Sequence, residues 1–171
     1  MRYAETPAVQ EETFVEADPD ALWTLITDIH LIARLSSELI EVEWLDDVTE
    51  PAVGCRFRGR NYHRQVGEWE TTSYVVECDR PHAFAWAVEN VEHPSAMWRF
   101  SVRPAEGGST LIQWAQLGPG PSNLSVVIER MPEKEERIVE GRLSEFRAGI
   151  EANLAGIKAL AEKALDPGAP R

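Results

Sequence analysis

Hydrophobic and polar positions along this chain follow two periods that replace one another several times. Thr13, Val15 and Ala17 alternate with Glu12, Phe14 and Glu16, a period of two that predicts a first strand between Val9 and Ala17. Asp18-Pro19-Asp20 then supplies an N-cap, a proline at the first helical position and an acid near the positive end of a helix dipole. Leu22, Leu25 and Ile26 recur at helical spacing beside Trp23, and Asp28 offers a second cap for a short helix through Ile29, Ile32 and Leu35. Beyond Ser37 the period returns to two, with Ile40, Val42 and Trp44 against Glu41 and Glu43. Gly54 opens a strand that places Cys55, Phe57, Gly59, Asn61 and His63 on one face. Its other face holds Arg56, Arg58, Arg60, Tyr62 and Arg64, and should be the wet one.

Glu68 to Asp79 predicts a long strand of open register. Trp69 and Val75 share one face, Tyr74, Val76 and Cys78 share the other, and a bulge would turn both sets inward along different stretches. Phe84, Trp86 and Val88 alternate with Ala83, Ala85 and Ala87, and Trp98, Phe100 and Val102 with Arg99, Ser101 and Arg103. After a turn at Gly107 and Gly108, the bulky set Ile112, Trp114 and Gln116 is assigned inward and Leu111, Gln113 and Ala115 outward. Gly118-Pro119-Gly120-Pro121 stops the sheet, and the short turns imply an antiparallel meander. Ser122 to Arg130 predicts a short helix, and the segment from Gly118 to Met131 reads as a connector ahead of a flap over a pocket mouth. Pro132, with Glu133, Glu135 and Glu136, starts a longer helix of roughly thirty residues with one apolar face. Its stripe is Ile138 or Val139, Leu143, Phe146, Ile150, Leu154, Ile157 and Leu160 or Ala161, and Asp166 to Arg171 forms a loose tail.

This order of elements resembles the START-like, or SRPBCC, superfamily. Its polyketide cyclase/dehydrase and lipid-transport branch is similar at Asp18-Pro19-Asp20-Ala21-Leu22-Trp23 and at Gly54 with Phe57-Arg58-Gly59-Arg60-Asn61. It is similar also at Val75 to Pro81 leading into Phe84-Ala85-Trp86, and at Gly108-Ser109-Thr110-Leu111. These residues mark a scaffold rather than a chemistry. The resemblance implies an α+β, helix-grip fold over one domain, 1–171: a curved seven-stranded antiparallel sheet around a long C-terminal helix, with two short helices after the first strand. It also implies a cavity between sheet and helix for an apolar or aromatic, lipid- or polyketide-like molecule. On the proposed inner faces the expected lining is Phe57, Asn61, His63, Trp86, Trp98, Trp114, Phe146 and Ile150.

Composition narrows the partners. A formal charge of −12 repels phosphate backbones, so nucleic acid is not an expected partner. Met1 to Val9 has neither a basic start nor an apolar run, and no stretch reaches the ~20 apolar residues of a membrane span, so the expected location is the cytoplasm. Cys55 and Cys78 lack metal-ligand spacing and are expected as thiols rather than a disulfide. No phosphate loop, nucleophile elbow or Cys/His cluster is present, so neither cofactor nor metal is expected. Arg56, Arg58 and Arg60 are best explained by cross-strand pairing with Glu41 and Glu43.

Asn61 and His63 either project polar groups into the pocket or meet water at the strand end. A proton-transfer role for His63, the one catalytic candidate, lacks a partner carboxylate that sequence can assign. Three readings of function follow: a binding protein for a hydrophobic small molecule, a cyclase or dehydratase-type enzyme, or a module whose pocket is plugged by its own tryptophans. A homodimer stays open.

Overall fold

β1 (Ala8–Val15) feeds α1 (Pro19–Ile26) through Asp18, whose carboxylate accepts the Ala21 N–H at 2.9 Å. Asp28 does the same for α2 (Ile29–Leu35), accepting from His30 and Leu31. Six further strands follow: β2 (Leu39–Trp44), β3 (Arg56–His63), β4 (Gly67–Asp79), β5 (Ala83–Val88), β6 (Ala96–Ala105) and β7 (Gly108–Leu117). Ser122 caps α3 (Asn123–Arg130), and a short turn at Pro132–Lys134 leads into α4 (Glu135–Lys163). The computed structural model describes residues 1–163, so the expected tail at 166–171 lies outside the described residues.

All seven strands form one antiparallel sheet in the order β1-β7-β6-β5-β4-β3-β2, with α4 across its concave face: the helix-grip fold. On the convex face Arg60 pairs with Glu41 and Arg58 with Glu43, as their cross-strand register dictates, while Arg56 pairs with Asp46 beyond the end of β2.

Two register shifts decide which side chains face inward. Between Val75 and Glu77 the pairing of β4 with β5 slips, so Val75 lies opposite Trp86 and Cys78 opposite Phe84, both inside. Glu77 is thereby turned out to pair with Arg99. A second shift between Leu39 and Glu41 sends Ile40 to solvent, 47 % exposed, against its expected place inside.

In β7 the expected faces are reversed. Leu111, Gln113, Ala115 and Leu117 are buried, while Trp114 lies on the convex side, opposite Arg99 of β6 and Gln10 of β1. The hairpin is the cause: Ala105 pairs with Gly108, so an even-numbered inward residue of β6 always faces an odd-numbered one of β7. Phe100 is inward, and its partner is Gln113.

α4 packs against β1, β7, α1 and α2. Ile150, Leu154, Ile157 and Ala161 fill this contact together with Leu22, Ile26, Val15 and Leu111, each worth about 1.5–3 kcal/mol for the larger side chains removed from water. The approach is close enough that a Cβ on Gly156 would lie 2.5 Å from Leu35. Cβ atoms added at Gly141 or Gly149, earlier on the same helix, would meet nothing within 4 Å.

Candidate ligand cavity

The open space beside Gly141 and Gly149 belongs to a cavity of about 1050 Å³ between the N-terminal half of α4 and strands β3 to β7. Its sheet side is built by alternation. Phe57, Gly59, Asn61 and His63 come from β3, Trp69, Thr71 and Ser73 from β4, Trp86 and Val88 from β5, and Ala96 and Trp98 from β6. The helix side is built by the helical period, through Ile138, Arg142, Phe146, Gly149 and Asn153. Ile29 and Ile32 of α2 close one end; Leu124 and Val127 of α3 lie over another. The connector expected between sheet and long helix thus forms part of the wall.

Of the residues expected to line such a cavity, Phe57, Asn61, His63, Trp86, Trp98 and Phe146 are brought together there. Trp114 is not, because the β7 register turns it to the convex face, and Ile150 is not, because it is fully buried in the packed half of α4. The tryptophans do not plug the space. Trp86 stands edge-on to Phe57 with ring centroids 5.8 Å apart, and Trp98 lies 4.6 Å from Phe146, so the rings pave the walls and leave the middle open.

Sequence reasoning missed two polar groups of this site. At the mouth, Arg142 reaches Glu38, just before β2, at 2.6 and 2.8 Å and Glu145 at 2.7 Å, while its guanidinium sits 4.9 Å from the centre of the Phe146 ring. Burial works against the charged form of Arg142, but the two carboxylates outweigh it and raise the group above its ordinary value. Partial burial likewise pushes Glu145 up, and hydrogen bonds from Arg142 and His63 outweigh this and hold its carboxyl below the usual range. Deeper in, Asn153 of α4 donates to Gln113 Oε1 of β7 at 3.0 Å, both side chains being almost wholly buried. A signal for the second pair was present: Asn153 sits three residues after Ile150 and four before Ile157, on the apolar stripe itself.

His63 finds the carboxylate that sequence could not assign, with Nε2 3.1 Å from Glu145 Oε1. Its Nδ1 accepts the Gln65 backbone N–H at 3.2 Å, which leaves Nε2 as the protonated nitrogen donating to Glu145. Both ring nitrogens are therefore engaged, and His63 ties the end of β3 to α4 rather than offering a lone pair to the cavity. Asn61 is held in the wall by its bond to Thr71 Oγ1 at 3.2 Å.

Among the described residues no group of three or more His, Cys, Asp or Glu side chains could hold a metal ion, and no helix is long and apolar enough to cross a membrane. Cys55 and Cys78 are free thiols, and burial first, then the neighbouring Cys55, Glu50 and Asp79, push the Cys78 thiol up.

An α4 helix gripped by a curved sheet, with an open aromatic-walled cavity between them, defines a scaffold of the helix-grip class. The chain belongs to the polyketide cyclase/dehydrase and lipid transport family, whose model matches residues 6–162. Among solved structures it is similar to a polyketide-cyclase-like protein from Corynebacterium glutamicum, with TM-score 0.67 and 23 % identity over 96 % of each chain. It is similar also to the Zhui aromatase/cyclase of Streptomyces sp. R1128, with TM-score 0.70 and 15 % identity over 96 % of this chain and 99 % of that one. A third likeness, TM-score 0.70 at 14 % identity, is to the di-domain aromatase/cyclase BexL of the BE-7585A biosynthetic pathway, covering 92 % of this chain and half (50 %) of that one. At these identities the likeness is one of fold. No curated protein matches the chain.

Proposed function

We propose that this protein binds a hydrophobic, aromatic or lipid-like small molecule in the cavity under the first half of α4. The observation that carries the reading is the open volume of about 1050 Å³ walled by Phe57, Trp86, Trp98 and Phe146, which suits a molecule of several fused rings. Removing the ligand's apolar surface from water would drive association, and the few polar groups of the wall would orient it. The test is native mass spectrometry of gently purified protein, followed by thermal shifts with lipids and aromatic polyketides. A true ligand at a hundred times its Kd should raise the melting temperature by about 5–10 °C. It should lose that effect in Gly149→Trp, which places an indole where a Cβ now meets open space. Equal shifts in both proteins, or none in either, would contradict the reading.

A second reading, a cyclase or dehydratase acting in the same cavity, is favoured by the family match and by the aromatase/cyclase fold likeness. The doubly bonded His63 is a poor general base for it, since accepting a proton needs a free lone pair within reach. Water loss or ring closure from a β-polyketone thioester, abolished by Gly149→Trp, would support this reading; binding without turnover would support the first.

A further inference from the structure

Asn153 is 7 % exposed and Gln113 1 %, and two carboxamides face one another in the cavity wall with a single hydrogen bond between them. Asn153 Oδ1 has no partner, and it is the one buried side-chain nitrogen or oxygen of the described residues in that state. Leaving such an acceptor unpaired is costly, and an apolar residue would be the cheaper filler on a stripe of Ile150, Leu154 and Ile157. Reversing both amides changes nothing essential: one bond remains, and one oxygen and one NH2 group are still left over.

From this we infer that Gln113 and Asn153 form a subsite for a neutral hydroxyl group carried on the ligand's ring system. The inference rests on the cavity reading above and names the ligand's chemistry within it. A hydroxyl is the smallest group that donates to the orphaned oxygen and accepts from the neighbouring NH2 at once. A carboxylate offers no donor, and a plain acyl chain or unsubstituted ring leaves Oδ1 as it is. Both amides are uncharged at every ordinary pH, so the subsite selects by hydrogen-bonding pattern and not by charge. Oδ1 is closed off from the cavity in the empty site, so the Asn153 amide turns about its soft last torsion when a hydroxyl arrives, loosening its bond to Gln113 Oε1 in exchange for the bond it gains.

Pyrene and 1-hydroxypyrene, nearly equal in shape, separate the possibilities when titrated by fluorescence into the wild type and into the double variant Gln113→Leu/Asn153→Leu at about pH 6.5, where the phenol is neutral. Burying a hydroxyl in a wholly apolar pocket weakens binding, so a preference for the hydroxylated ring needs a polar host. The wild type should favour 1-hydroxypyrene by about tenfold, or about 1.4 kcal/mol. The double variant should lose that preference and tighten on pyrene by about threefold, and its melting temperature without ligand should rise by about 3 °C as the unpaired oxygen disappears. A tenfold preference that survives in the variant overturns the subsite while the cavity reading stands, because the hydroxyl is then met elsewhere. A variant that melts lower than the wild type makes the amide pair a structural tie and overturns it too. Failure of both probes to bind the wild type overturns the cavity reading and the subsite with it.

Discussion

The two halves of α4 share one apolar period, but only the first borders open space along one of its flanks. From Ile150 to Ala161 the stripe is pressed into β1, β7, α1 and α2, close enough that Gly156 has no room for a methyl group. From Glu135 to Gly149 the same helix buries Val139, Leu143 and Phe146 along one flank, while Ile138, Arg142 and Gly149 on the other border the cavity. The second half is packed along its whole inner stripe, and the first is packed on one flank and open on the other. An ion cluster of Arg142, Glu38 and Glu145, joined by a hydrogen bond from His63, spans the open flank and holds it to the edge of the sheet.

Large-to-small substitutions should separate the halves most sharply. Ile157→Ala, at a fully buried position, should cost about 3–4 kcal/mol in urea unfolding, whereas Ile138→Ala, already beside a cavity, should cost about 1 kcal/mol or less. Equal losses would mean that no open space lies beside Ile138. Next in size is Arg142→Met, which leaves Glu38 and Glu145 facing each other without their cation and should cost about 2–3 kcal/mol. Restoring much of that loss with the added change Glu38→Gln would identify carboxylate repulsion as its source.

The two glycines give a smaller effect of opposite sign. Gly149→Ala should stabilise by about 0.5–1 kcal/mol through helix propensity alone, and Gly156→Ala should destabilise by about 1 kcal/mol because Leu35 must be displaced. The smallest effect is on pH dependence. Glu145 is held below its unfolded value, so its share of stability is complete above about pH 4.3 and is lost as the pH falls through the lowered folded value. Acid unfolding of the wild type should accordingly be steeper in that range than that of Glu145→Gln, and identical profiles would remove the carboxylate from the tie.

Most of the architecture was legible because capping residues and period changes are local. Asp18, Asp28 and Pro132 announced three helix starts, and the alternation of arginine with small or apolar residues in β3 gave its two faces correctly. What failed was non-local. In β7 two alternating sets competed, and bulk favoured the one containing Trp114; only the parity of a two-residue hairpin, combined with Phe100 facing inward, selects Gln113. In α4 the stripe marked Ile150 and Phe146 alike, since a helical period reports which side faces the protein and not whether a neighbour fills the space opposite. The ion tie at the mouth joins residues from Glu38 to Glu145, a pairing no spacing rule reaches.

A crystal of the ligand-free protein pressurised with xenon tests the open half most directly, since xenon enters dry apolar cavities whatever the natural ligand is. Xenon, or the density of a co-purified molecule, should appear between Phe57, Trp86, Trp98 and Phe146 with Gly149 still clear of the sheet. The first half of α4 resting on β3 to β5, with no site for the gas beneath it, would contradict the account.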